Sequence, residues 1–399
     1  MKSLFQIGAD YMMSKERAGK LIKNLSGMSE YYSFRRSPLP PEPAIAIDNE
    51  LNNLIIDAHK MLAILDDRAE KIPDMNLFIS MYVKKEALLS SQIEGTQATL
   101  EDIFELNRDD SINEDVEEVV NYVKAANYAI DRLNTLPLCN RLLLETHEIL
   151  LSGVRGNEKN PGEFRHSQNW IGSKNSNIAT ARYIPPNIDD MKEALSDLEK
   201  FINDDAPYDA LINAALVHYQ FESIHPFLDG NGRIGRLLIV LYLLYKGTIK
   251  TPALYLSYYL KEHRIEYYDR MTVVRDSGDY EQWIKFFVRG VYISSKSAIE
   301  SADKLIELKN SDEDKINSLN ISDRRKINIM KLYRHLLAKP IIDIKGAAEE
   351  LELAYNTVKS IVDALMNLDI LKQDNNQERN KVFSYEAYLA VLREGTEII

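Results

Sequence analysis

The sequence predicts a mainly α-helical protein with a small β-hairpin flap and a C-terminal winged helix-turn-helix unit. Three observations lead there. Apolar residues recur at helical spacing through most of residues 48–300. The stretch 156–187 breaks that rhythm with Gly, Asn and Ser around two short β-like pieces, "SQNWIG" and "ARYIPP". From 341 onward, a short strand, a helix, a tight turn, a second helix and a last strand follow in order.

Residues 31–45, "YYSFRRSPLPPEPAI", are proline-rich and read as an extended strap. "DNELNNLIIDAHKMLAILDDRAEKI" gives the first helix. After Pro73, "DMNLFISMYVKKEALLSSQIEG" gives the second, stopped by Gly95. "TLEDIFEL" starts another, with Thr99 as N-cap and Glu101 and Asp102 suiting the first-turn dipole. Two amphipathic helices follow between about 115 and 155. Beyond the flap, helices are expected at 188–204, 208–223 and 233–246, and further on to about 300. The charged run "KNSDEDKINSLNISD" (309–323) reads as a linker. The expected organisation is an N-terminal helical region (1–110), a helical core (111–300), a linker (301–325) and the winged-helix unit (326–399).

Composition narrows the function classes. At 399 residues and 45% apolar, the chain is globular and long enough for several domains. Its single cysteine, Cys139, sits in an apolar-patterned run and excludes internal disulfides, which suits a reducing compartment. The N-terminus lacks a signal-peptide core. The most apolar run, "LLIVLYLLY" (237–245), is far shorter than the roughly 20 residues that span a bilayer. A cytoplasmic protein without membrane partners is the expectation. A formal charge of −12 argues against a general nucleic-acid binder.

The chemistry concentrates in "HPFLDGNGRIGR" (225–236). Pro226 disfavours helix at His225, and two glycines around an asparagine break any helix, before an apolar helix resumes. Free N–H groups of the loop and the positive end of the next helix then converge into an anion hole. Arg233 and Arg236 share a face of that helix and oppose its dipole, a conflict that a negative ligand removes. Two arginines with bare amides suit a polyphosphate. Asp229 suits Mg²⁺ held against phosphate oxygens, and His225 suits taking a proton from an attacking hydroxyl. No HExxH and no second His or Cys at ligand spacing supports zinc. The set reads as metal-assisted transfer of a phosphate-containing group from a nucleotide to a hydroxyl.

This stretch resembles the Fic-family signature, His-Pro-Phe-x-Asp/Glu-Gly-Asn-Gly-Arg-x-x-Arg, at every fixed position. The resemblance implies a helical Fic fold that transfers AMP from Mg·ATP to a Ser, Thr or Tyr hydroxyl of a target protein, with release of pyrophosphate. It implies His225 as general base and Asp229 as metal ligand. The run Gly230, Asn231, Gly232, Arg233, Ile234, Gly235 and Arg236 would hold the nucleotide, with the Asn231 side chain on the α- and β-phosphates and Arg236 on the γ-phosphate. The kinase-like Doc branch has lysine where this chain has Gly232, so the resemblance sides with the AMP transferases. "GEFRHSQNWIG…ARYIPP" is similar to the family flap, whose edge (Thr180, Ala181, Arg182, Tyr183) would align a target segment by strand addition. "PALYLSYYLKEHRIEYYDRM" resembles the helices closing the nucleoside side, where Glu262 and His263 are the candidates.

"SSQIEG" (90–95) matches the family's inhibitory motif through Ser90, Glu94 and Gly95. A carboxylate placed there can occupy the anion hole and pair with Arg236, displacing the γ-phosphate. The C-terminal unit has six bases from 341 onward (Lys345, Lys359, Lys372, Arg379, Lys381, Arg393) against eleven acids. A protein-interaction or dimerisation role is therefore favoured over DNA binding. The expected activity is auto-inhibited AMP transfer to target proteins and to the chain itself. Removal of AMP by the same site, and a DNA-binding regulator with a nucleotide-sensing core, are the alternatives.

Overall fold

The computed structural model describes residues 15–26, 29–71, 75–104, 113–173, 175–205, 207–374 and 381–398. Strands β1 (Gly19–Ser26) and β2 (Ser29–Arg36) form an antiparallel hairpin. Helices α1 (Asn49–Lys71), α2 (Met75–Ile93) and the short α3 (Leu100–Phe104) follow. Then come α4 (Glu114–Arg132), α5 (Asn140–Leu150), α6 (Ile188–Asn203), α7 (Ala210–Ile224) and α8 (Asn231–Tyr245). Helices α9 (Ser257–Glu262), α10 (Arg264–Ser277) and the 38-residue α11 (Tyr280–Asn317) complete the core.

Helices α7 and α8 are apolar on nearly every face and are buried accordingly, which places them at the centre. They pack on each other; α2, α4 and α5 cover α8, while α6 and α11 cover α7. The twelve-residue motif is the corner between these two central helices. Trp283 of α11 is fully buried against them and donates its indole N–H to the Ala215 carbonyl at 2.9 Å. No helix among the described residues is long and apolar enough to cross a membrane.

The C-terminal unit comprises α12 (Asp323–Ala338), β3 (Ile341–Asp343), α13 (Ile344–Glu350), α14 (Tyr355–Asn367), β4 (Lys372–Gln373), β5 (Val382–Ser384) and α15 (Glu386–Arg393). Its three strands pair antiparallel in the order β3-β5-β4, and α15 packs back onto α11.

Several expectations need correction. The strap at 31–45 begins inside a strand: residues 31–36 belong to β2, because Tyr32 and Phe34 alternate with Ser33 and Arg35 and pair in register with 19–24. The linker expected at 301–325 is helix as far as Asn317. Buried Ala302, Leu305 and Ile316 give that segment an apolar stripe, and the Lys309–Glu313 pair (3.1 Å) bridges one turn of it. The flap is a hairpin only at one point, the antiparallel bridge between Ile171 and Tyr183. Thr99 does cap α3, in a reciprocal box where its N–H donates to Asp102 (2.8 Å) and its hydroxyl accepts from the Asp102 N–H (3.3 Å). Pro73, Glu378 and Arg379 lie outside the described residues.

Replacing Trp283 by Ala removes a large buried ring and orphans the Ala215 carbonyl contact. A loss of about 3–5 kcal/mol in urea unfolding is expected, with a loss under about 1 kcal/mol contradicting its place in the core.

Candidate active site

Helix α7 ends at Ile224, and His225 then turns left-handed at φ 49°, ψ 60°. That conformation is uncommon for a non-glycine residue and has to be held by its surroundings. Two residues from the base of the flap hold it. Arg165, fully buried, donates Nε to the His225 carbonyl at 3.0 Å and bonds the carbonyls of Ser167 and Pro186. Asn169 donates Nδ2 to the carbonyls of His225 (3.1 Å) and Phe227 (2.9 Å). The flap and the corner between α7 and α8 are one hydrogen-bonded piece.

The His225 ring is half-buried, and its Nδ1 lies 3.4 Å from the Glu222 carbonyl. A carbonyl only accepts, so Nδ1 carries the proton and Nε2 is the free base. Burial pushes the imidazole pKa down to about 4, with the Arg165 charge adding to it; the ring is neutral at pH 7.

The loop is shaped from both sides. Gly230, at φ 74°, stands in the left-handed region at the mouth of α8, with no side chain capping the helix. Asn231 uses both ends of its amide on the Phe227 backbone, accepting at 2.8 Å and donating at 2.9 Å. The side chain that the family signature assigns to phosphate therefore sets the loop's shape. Below the loop, His147 stacks on Phe227 with ring centroids 3.8 Å apart. Its Nε2–H donates to the Asp229 carbonyl (3.1 Å), while Nδ1 accepts from the Gly162 N–H (3.0 Å). Burial lowers the His147 pKa to about 4, which keeps this neutral tautomer in place.

Arg233 and Arg236 are both almost fully buried. Nε and Nη1 of Arg233 make no hydrogen bond among the described residues; its nearest carboxylates, Glu118 and Asp229, lie 3.6 Å away. Donors so placed want an anion. Arg236 is engaged through Nε and Nη2 by the segment predicted to inhibit it. Its Nε donates to the Ser90 hydroxyl (2.8 Å), and Nη2 donates to the Ser90 carbonyl (2.9 Å) and to Glu94 Oε1 (2.7 Å). Desolvation in the cleft works against the Glu94 charge although its side chain is about 36% exposed. The Arg236 charge and hydrogen bond, helped by Arg233 and His225, outweigh it, so the carboxyl stays below its usual pKa. Gly232 is where the two meet: a Cβ there would stand 2.2 Å from Glu94 Oε1 and 3.0 Å from Arg236 Nη1. Gly95, at φ 105°, lets the chain leave α2 just beyond Glu94. At Gly235 a Cβ would strike the Glu222 carboxyl, and Ile234 is buried as a packing residue.

Glu262 and His263 do not touch the loop's own hydrogen-bond network. They line an adjoining cavity of about 930 Å³ whose other wall is the end of α2, including Gln92, Ile93 and Gly95. Of the flap residues, Thr180 and Arg182 are exposed and Ala181 is half-exposed. Tyr183 is not free to meet a target with its ring: it is buried, with its hydroxyl on the Ser223 carbonyl at 2.6 Å. Its backbone is already paired with Ile171, and the neighbouring Ile184 carbonyl accepts from Phe34 N–H of β2 (3.0 Å).

Asp229 stands at the mouth of the loop with its side chain about 37% exposed and Oδ1 accepting from the Gly230 N–H (2.6 Å). No group of three or more His, Cys, Asp or Glu among the described residues could hold a metal by itself. The donor set fits an ion that shares its shell with phosphate and water. Sequence reasoning missed Glu118, His147, Arg165 and Asn169, each far along the chain from the atoms it holds.

Residues 52–131 match the Fic/DOC family N-terminal region, and residues 137–243 match the Fic/DOC family domain. The chain is similar to the protein adenylyltransferase Fic of Culex quinquefasciatus, 34% identical over 146 residues, and to that of Aedes aegypti, 32% identical over the same length. Each alignment spans 36% of this chain but only 26% of the relative's own length. The fold is similar to the crystal structure of a Fic family protein from Desulfovibrio desulfuricans G20, with a TM-score of 0.56 and 18% identity over 86% of this chain and 97% of that one. Residues 52–131 and 137–243 therefore carry, in order, the Fic/DOC N-terminal region and the Fic/DOC domain.

Proposed function

We propose that the chain transfers AMP from Mg·ATP to Ser, Thr or Tyr hydroxyls of target proteins, and to itself, and that Glu94 restrains it. The observation that carries this reading is a neutral His225, with a free Nε2, beside a helix N-terminus bearing two buried arginines. The acceptor hydroxyl loses its proton to His225 Nε2 as its oxygen bonds to the α-phosphorus. The bond to the bridging oxygen breaks, and pyrophosphate leaves. The loop amides and Arg233 hold the phosphates; Arg236 holds the γ-phosphate once Glu94 has withdrawn. Asp229 would hold Mg²⁺, which neutralises phosphate charge and aligns the leaving group. The exposed flap edge at 180–182 presents the target segment. A free cysteine and the absence of a spanning helix among the described residues fit a cytoplasmic setting.

A second reading is removal of AMP by the same site. Glu94 engages Arg236 through Oε1, which leaves Oε2 to orient a water molecule against a phosphoester. The C-terminal unit, read as a winged helix, is an interaction module for a protein partner or a second copy rather than for DNA.

Intact-mass measurement of the purified chain with Mg·ATP tests the activity: an added AMP is expected on wild type or the Glu94→Gly variant, and its absence from both would count against transfer. His225→Ala should lose about 10²-fold or more of the transfer while binding ATP nearly as wild type; more than about a tenth of the activity remaining would remove His225 from the base role. Asp229→Ala should lose transfer even in excess Mg²⁺, and normal turnover there would place the ligand elsewhere. Because the folded pKa of His225 is lowered, its free base persists as pH falls until about 4. The rate of Glu94→Gly should therefore stay flat from about pH 8 to 5.5, whereas an acid limb centred near 6.5 would mean an ordinary histidine.

A further inference from the structure

The end of the inhibitory helix is fastened to the far end of the chain. Gln92, two residues before Glu94, donates Nε2 to the carbonyls of Thr396 (3.0 Å) and Ala98 (3.1 Å). Its Oε1 accepts from Lys261 Nζ at 2.7 Å, and the same ammonium donates to the Glu397 carbonyl. Lys261 is buried, so its charge depends on those two oxygens. Nearby, Arg393 pairs with Glu101, beyond the turn that follows Glu94, and with Glu386 at 2.6 Å.

The C-terminal segment is itself seated. Thr396 is buried and closes a turn on the Arg393 carbonyl through both its N–H and its hydroxyl, each at 2.8 Å. Gly395 lies so close to the Tyr258 ring that a Cβ there would stand 2.2 Å from it. On the other side, the turn carrying Glu94 is tight: the N–H groups of Glu94 and Thr96 both donate to the Ser91 carbonyl, at 3.0 and 3.2 Å. Arg264 caps the Ile93 carbonyl at 3.0 Å. A rotation of this turn would carry Glu94 away from Arg236, and Gln92, directly and through Lys261, ties the turn to residues 396–397.

We propose that the C-terminal unit sets the inhibition: Gln92, Lys261 and Arg393 are positioning residues that clamp the last turn of the inhibitory helix to residues 393–397, and release of that segment frees Glu94 from Arg236. The proposal rests on Glu94 being inhibitory. It makes the interaction module at the C-terminus the control arm of the active site. A partner that pulls on α15 would switch the enzyme on without touching the nucleotide.

The test uses the full chain with Gln92→Ala and Arg393→Ala, each alone and combined with Glu94→Gly. Labelled AMP transfer and amide hydrogen exchange at residues 94–96 are read together. Each single variant should raise transfer about five-fold, roughly what one net hydrogen bond is worth, should speed exchange at 94–96, and should add nothing on the Glu94→Gly background. A merely destabilised protein would lose transfer, not gain it. Wild-type exchange at 94–96 in both variants overturns the clamp. Faster exchange without a gain in transfer, while Glu94→Gly does gain, overturns the control role and leaves the inhibition standing. No gain in Glu94→Gly itself overturns the inhibition and the control role together.

Discussion

A buried arginine with nothing to neutralise it is what this structure is organised to avoid. Arg236 sits almost fully out of water near the N-terminus of α8, where the helix dipole is also positive. Removing a guanidinium from water costs several kcal/mol unless a good counter-charge and hydrogen bonds meet it. Ser90 in the last turn of α2 and Glu94 just beyond it supply both. The γ-phosphate of a nucleotide could do the same. In the proposed reading, inhibition is a contest between two anions for one cation, Glu94 holding in the resting state the place a γ-phosphate would take.

The same reading accounts for the dense hydrogen bonding around the loop. A base at His225 would have to face one direction, and Arg165 and Asn169 hold the His225 carbonyl in a left-handed turn. The amides have to point into the pocket, so Asn231 staples the loop from within and His147 supports it from below. Glu118 joins these parts. One of its buried oxygens accepts from the Thr96 hydroxyl (3.0 Å) just past Glu94 and lies 3.6 Å from Arg233. The segment carrying Glu94 and the Arg233 guanidinium thus share a neighbour. Glycine at 232 leaves room for the Glu94 carboxylate.

What was legible in the sequence was what lies close together along it. The motif states its own geometry, since Pro226, the two glycines and the apolar run after them dictate helix, loop and helix within a dozen residues. The apolar stripes placed α4 to α8 to within a few residues. Three features were hidden. The β1–β2 hairpin has a half-polar pattern that only its pairing and the flap beside it make into strands. Residues 309–317 look like a solvated linker because their charges outnumber the few apolar residues that the C-terminal unit covers. The partners Glu118, His147, Arg165 and Asn169, and the clamp from Gln92 to Thr396, act across 15 to 304 residues of separation, and one sequence carries no sign of which distant side chains meet.

The central claim is that the Glu94–Arg236 pair holds the site in its resting state, and a double-mutant cycle on labelled AMP transfer tests it most directly. Glu94→Gly should raise transfer about ten-fold or more by letting the nucleotide align. Arg236→Ala should lower transfer alone and erase that gain when combined with it. Wild-type activity in Glu94→Gly, or a gain that survives the loss of Arg236, would contradict the account.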